Sequence, residues 1–218
     1  PVNITADCKN RLLMALAERA DVIVDFTRVP QGNYVLANLG PDEPFGGGEP
    51  LDDFDAADPE TTGQIMEFRV VPSVAPDPTT PPQFLVLPSI VPLPAETLTR
   101  PLAMLEKGEV LPEYGFDGPV EAMLGVVDNE GMPMHKMWMD PITENPKLGD
   151  TEVWEFYNFT ADAHPMHVHE VAFEVVNRQA LVTDEEGMAT MPATLVGDPR
   201  PPEPWESGLK DTVIAYPG

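Results

Sequence analysis

Proline constrains this chain more than any other residue type: there are 27 in 218 positions. The pyrrolidine ring fixes φ and removes the backbone donor. A proline therefore breaks a helix interior, and in a sheet it is confined to edges, first residues and bulges. So many such residues leave little room for long helices, and they predict strands separated by proline-marked turns, an all-β sandwich. Nine prolines fall from Pro72 to Pro101, which reads as a semi-rigid, extended linker. The length and an apolar content of 42% are enough for a sizeable core.

Strand signals lie on both sides of that linker. Arg19 to Phe26 alternates, with Ala20, Val22, Val24 and Phe26 on one face and Asp21 and Asp25 on the other. Pro30, Gly32 and Asn33 mark a turn, Tyr34 to Leu39 reads as the returning strand, and Ile65 to Val71 as another. Between them, Gly46-Gly47-Gly48 and the acidic run Asp52, Asp53, Asp55, Asp58, Glu60 form a solvated loop. The glycine and distal glutamate of a helix-loop-helix calcium site are missing. Pro94 to Leu105 is expected to hold a short helix or turn. Beyond it, Val120–Val127, Thr151–Phe159, His167–Val176 and Asp211–Ala215 carry strand signals.

Charge excludes some partners. With 37 acidic residues against 12 basic ones, the net charge is −25, a surface that repels nucleic acid and anionic membranes. It suits cationic substrates, or solubility at high salt. No apolar run approaches the ~20 residues of a membrane span. Cys8 is the one cysteine, and its neighbours Asp7 and Lys9 form no metal motif, so it reads as an incidental free thiol.

Three of the four histidines, His164, His167 and His169, lie within six residues. On a strand, side chains two apart share a face, so His167 and His169 point the same way and can reach one metal cluster. His164, at an odd offset beyond Pro165, projects differently and suits a second metal. Imidazole serves copper, zinc, iron and nickel alike, so the spacing names no metal.

The segment His164-Pro165-Met166-His167-Val168-His169 resembles the first histidine motif in the last cupredoxin domain of multicopper oxidases. Trp138 to Gly149 resembles the lead-in of bacterial spore-coat laccases, and Thr151 to Glu155 the strand that follows it. Gly208 to Val213 resembles the segment before the family's final copper motif, and Glu18 to Phe26 a strand of its middle domain. Bilirubin-oxidase-type enzymes belong to the same group. The resemblance implies cupredoxin-like Greek-key sandwiches: residues 1–71 as part of a middle domain, 72–101 as the linker, and 102–218 as most of the last domain. It makes His164 a type 1 copper ligand, His167 a type 2 ligand and His169 a type 3 ligand of the trinuclear cluster. It also implies secretion or a periplasmic location, and the oxidation of phenols, arylamines or metal ions coupled to reduction of dioxygen. No other catalytic or cofactor-binding residue is assigned.

The family pattern asks for four His-x-His pairs and a cysteine flanked by histidines, whereas this chain has one such pair and no His-Cys-His. It is therefore expected to be part of a longer enzyme, truncated before that motif, inactive alone and completed by further segments or another chain. A cupin-like mononuclear metal protein using His167, His169 and Glu174 is the competing reading, although Glu174 falls on the opposite strand face. A non-enzymatic sandwich is the third. Met132, Met134, Met137 and Met139 surround His135 and are expected to pack as core rather than bind Cu(I). Met166, Trp154 and Trp205 are expected to pack. Asp162 either orients a ligand or caps a turn.

Overall fold

A computed structural model describes residues 11–111 and 116–218 of the chain; Cys8 lies outside them. The protein is all-β, and among the described residues its only helical pieces are 3-10 turns at Pro82–Phe84 and Pro204–Glu206. Two compact units divide at Ser89 and Ile90, within the proline-rich stretch.

In the first unit, β1 (Gly32–Ala37) pairs antiparallel with β2 (Gln64–Val70) from Gly32↔Val70 to Leu36↔Met66, with a bulge before Ala37. The acidic connection between them spends its carboxylates on its own turns. Asp42 accepts from the Asp58 N–H at 2.9 Å and from the Thr62 hydroxyl, and Asp53 accepts from the Glu49 N–H at 2.8 Å. The strand expected over residues 19–26 does not form. Val22, Ile23 and Val24 are half exposed there, and no described segment supplies the ladder its N–H and C=O groups need. Alternation gives a face but not a partner.

The second unit is built on a four-stranded sheet in the order β5-β4-β3-β6. Its centre is β3 (Leu98–Leu111), antiparallel to β4 (Phe116–Val127) and parallel to β6 (Glu152–Asn158). Thus Pro94–Leu105, expected as a helix or turn, instead opens a central strand. The short β5 (Pro133–His135) closes one edge, and two further antiparallel pairs complete the unit: β7 (His164–His167) with β10 (Thr212–Ala215), and β8 (Arg178–Leu181) with β9 (Leu195–Arg200). The core cluster of Ala103, Val127, Phe159, Leu181 and Ala189 joins the β3–β4 face to β8, so the sheet and the β8 hairpin are facing layers.

The strand prolines obey the rule that opened the sequence analysis. Pro101 sits where β3 pairs with β6 alone, because pairing with β4 starts at Leu102. Pro119 faces the bulge at Lys107/Gly108, and Pro133 begins β5. Pro165 is on β7, whose only ladder partner is β10, and Pro199 lies in the irregular stretch of β9. None removes a donor from a two-sided ladder.

Ion pairs built on two arginines fasten the second unit. Arg100 grips Glu152 with two bonds of 2.6 and 2.8 Å and reaches the Thr143 carbonyl at 2.8 Å. Those bonds, and one from the Trp154 indole, hold the Glu152 carboxyl down from 4.5 to about 2. Arg178 holds buried Glu206, donates to the Ile214 carbonyl at 2.7 Å and lies 5.1 Å over the Tyr216 ring. Burial pushes Glu206 up, but Arg178 and the Glu203 N–H outweigh it and hold the carboxyl below its usual value.

Because its folded value is depressed, Glu152 stabilises the fold fully above its unfolded value and loses that contribution as pH falls from about 4.5 toward 2. Glu152→Gln should flatten the stability profile in that window, read by urea unfolding at a series of pH values. A Cβ on Gly125 would lie 2.3 Å from the Met134 carbonyl oxygen, where β4 and β5 approach. Gly125→Ala should therefore cost about 1–3 kcal/mol of stability, seen as a lower urea midpoint at unchanged slope.

Candidate metal centre

The histidine segment is an edge strand fixed from three sides. β7 runs antiparallel to β10 in the register His164↔Ala215, Pro165↔Ile214, Met166↔Val213, His167↔Thr212. All four β10 residues are buried, so β10 anchors in the core and β7 lies on its outer side. Exposure alternates along β7, with His164 and Met166 half-buried and Pro165 and His167 exposed. His164 thus faces inward and His167 outward.

The expected long strand from His167 to Val176 is not present. Regular pairing ends at His167; the chain then turns, with Glu170 in the left-handed region at φ 65°, and regains a single bridge at Phe173↔Lys210. For a residue with a Cβ that conformation is unfavourable, and it ends the ladder. His167 and His169 still come together on the exposed side, with ring centroids 4.8 Å apart and planes at 66°.

Each inner partner is defined. His167 Nδ1 lies 2.7 Å from the Asp211 main-chain carbonyl and 3.1 Å from the Thr212 hydroxyl. A carbonyl only accepts, so Nδ1 carries the proton and Nε2 keeps its lone pair. This is the arrangement in which a histidine ligand is held by its other nitrogen. His164 Nε2 lies 2.6 Å from the Thr160 hydroxyl and 3.7 Å from a Glu106 carboxylate oxygen on β3. Burial pushes the Glu106 carboxyl up, the Asp162 charge adds to this, and His164 opposes it.

Behind His164 is a polar knot that sequence reasoning missed. Asn158 and Thr160 are buried, 2% and 1% exposed. The Asn158 amide donates to the Asp162 carbonyl at 2.7 Å and to the Ala215 carbonyl at 3.2 Å, and it accepts from the Thr160 N–H at 2.9 Å and hydroxyl at 2.8 Å. It thereby ties the end of β6, the turn before β7 and the end of β10. Asp162 contributes its main-chain carbonyl here. The readable signal was Asn158-x-Thr160-x-Asp162, polar side chains at every second residue ahead of the motif.

Among the described residues, no group of three or more His, Cys, Asp or Glu side chains converges to hold one metal ion. This corrects the cupin reading, since His167, His169 and Glu174 do not assemble. The methionine expectation is also corrected. Met132, Met134, Met137 and Met139 are 40–87% exposed, on and on either side of the edge strand β5, so they are not core. His135 is exposed beside them. Trp154 is half-buried, its indole donating to Glu152 at 3.0 Å, and Lys210 pairs with Glu18 at 2.5 Å.

An all-β unit whose edge strand carries His164 inward and His167 outward, with His169 just past the strand end beside His167, defines a cupredoxin-like class with candidate metal ligands. Residues 117–218 match the family model described as multicopper oxidase. Over 217 residues the chain is 32% identical to a laccase of Bacillus subtilis (strain 168), covering 96% of this chain and 36% of that protein. It is 33% identical over 171 residues to multicopper oxidase LPR1 of Arabidopsis thaliana, covering 78% of this chain and 26% of that one. A laccase of Haloferax volcanii is 29% identical over 211 residues, covering 95% and 28%. The chain belongs to the multicopper oxidase family, is laccase-like within it, and spans about a third of the length of the Bacillus relative. Membership implies copper, and a set of three imidazoles, one already oriented by a carbonyl, suits that metal.

Replacing Asn158 with Ala would remove the side-chain partner of the buried Ala215 carbonyl and of the Thr160 N–H and hydroxyl, and would leave the Asp162 carbonyl with the Thr160 hydroxyl alone. The expected loss is on the order of 3 kcal/mol, measured by chemical unfolding.

Proposed function

We propose that this chain forms part of a laccase-like oxidase that removes single electrons from phenols, arylamines or metal ions and reduces dioxygen to water. His164 would hold the electron-accepting type 1 copper. His167 and His169 would hold the type 2 and type 3 coppers of the trinuclear cluster. The observation that carries this reading is the split of the motif, with His164 inward on β7 and His167 side by side with His169, just past the strand end, on the exposed side, inside the segment matched by the family. Bound copper supplies the one-electron chemistry and the site for dioxygen. The chain's own residues supply orientation: the Asp211 carbonyl keeps the His167 proton on Nδ1, and β10 sets the spacing of the histidines.

Three histidines are fewer than such sites need, so the remaining ligands would come from other parts of the oxidase. A net charge of −25 favours a cationic or neutral reductant over an anionic one.

Titrating Cu(II) into the 15N-labelled chain should broaden amide and imidazole signals of residues 164–169 first, and His167→Ala with His169→Ala should remove the effect. Broadening confined to the acidic loop of residues 41–63 would sink the ligand assignment. With a phenolic substrate, the copper-loaded chain alone should consume no oxygen at an electrode; sustained uptake would show that no further ligands are needed.

A further inference from the structure

Resting on the reading of His164 as a copper ligand, we propose that Thr160, aligned by Asn158, is a positioning residue that keeps the His164 proton on Nε2. The Nδ1 lone pair is then the one left for the metal. The donors and acceptors around one buried hydroxyl fix the tautomer. The Asn158 amide has a fixed orientation, because its oxygen accepts the Thr160 main-chain N–H at 2.9 Å and its nitrogen faces two carbonyls, of Asp162 and Ala215. Its oxygen is therefore an acceptor 2.8 Å from the Thr160 hydroxyl, and the Asp162 carbonyl, 3.1 Å away, is another.

A hydroxyl has one proton and two lone pairs. The neighbours at 2.8 and 3.1 Å only accept, so the proton goes to them, and the Asp162 main-chain N–H, 3.3 Å away, takes one lone pair. The other lone pair is left facing His164 Nε2 at 2.6 Å, a contact satisfied only if Nε2 bears a hydrogen. Were Nε2 bare, the hydroxyl would turn to it and leave the buried Asn158 oxygen facing an oxygen at 2.8 Å with no hydrogen between them, an unfavourable arrangement in a site that is 1–2% exposed. Glu106, with its nearest oxygen 3.7 Å from the same nitrogen, lies beyond hydrogen-bond reach, so the threonine is the group that sets the tautomer. His164 and His167 are thus held by opposite ring nitrogens: His164 through Nε2 by a threonine, His167 through Nδ1 by a carbonyl.

Long-range 1H–15N correlation spectra of the chain at about pH 8, above the imidazole range, test this directly. Wild type and Thr160→Ser should show a protonated Nε2 and a bare Nδ1 for His164. Thr160→Val should lose that preference while His167 keeps its Nδ1–H form, and Glu106→Gln should leave both unchanged. A bare Nε2 at His164 in the wild type, or full retention of the Nε2–H form in folded Thr160→Val, overturns the positioning role. Wild type and Thr160→Ser decide the matter even where Thr160→Val does not fold. Added Cu(II) separates the two layers. An Nε2–H tautomer with the His164 ring broadened supports both. The same tautomer with no broadening at His164 overturns the ligand reading, and the positioning role with it.

Discussion

The side chain of Asn158 sits where three parts of the second unit meet. Its amide reaches the carbonyls of Asp162 and Ala215 and takes both the N–H and the hydroxyl of Thr160. At 2% exposure this side chain is shut off from solvent, so its bonds are made within the protein. The end of β6, the turn that introduces β7 and the end of β10 are fixed to one another through it. The β7–β10 ladder then carries that fix along the histidines, from His164 beside Ala215 to His167 beside Thr212.

The chain's few cations are placed with similar economy. Against 37 carboxylates there are 12 basic residues, and Arg100, Arg178 and Lys210 lie at positions only 17–18% exposed, each against a carboxylate that is 7–8% exposed. A buried carboxylate without a partner would be costly. The cations go where desolvation is greatest, and solvent screens the remaining acidic groups. In the acidic loop, main-chain N–H groups and hydroxyls take over part of that role.

Much of the architecture was legible in the sequence because it follows from local chemistry. Proline density excluded long helices, and each strand proline fell on a single-sided stretch, a first residue or a bulge. The strands over 34–39, 65–71, 120–127, 151–159 and 211–215 were found within a few residues. Residues 19–26 show where local reasoning ends. Their alternation fits a strand, but pairing depends on a neighbour that no periodicity specifies. Residues 94–105 failed in the other direction, since proline-rich flanks hid a strand that takes up two partners only beyond Pro101. The methionines failed because hydrophobicity does not reveal that β5 is an edge strand, open to solvent.

By itself the sequence determined the all-β class and pointed to His164, His167 and His169 as candidate metal ligands, because strand geometry turns spacing into faces. It carried the family resemblance that the comparisons bear out. Tertiary structure alone decided which face is inward, since that depends on β10 being buried behind β7. It decided that the strand stops at His167, through the turn at Glu170. It also decided which atoms hold each ring, because Thr160 lies four residues from His164 and the Asp211 carbonyl 44 residues from His167. Hydrogen bonds of that kind join chain segments that only folding brings within 3 Å.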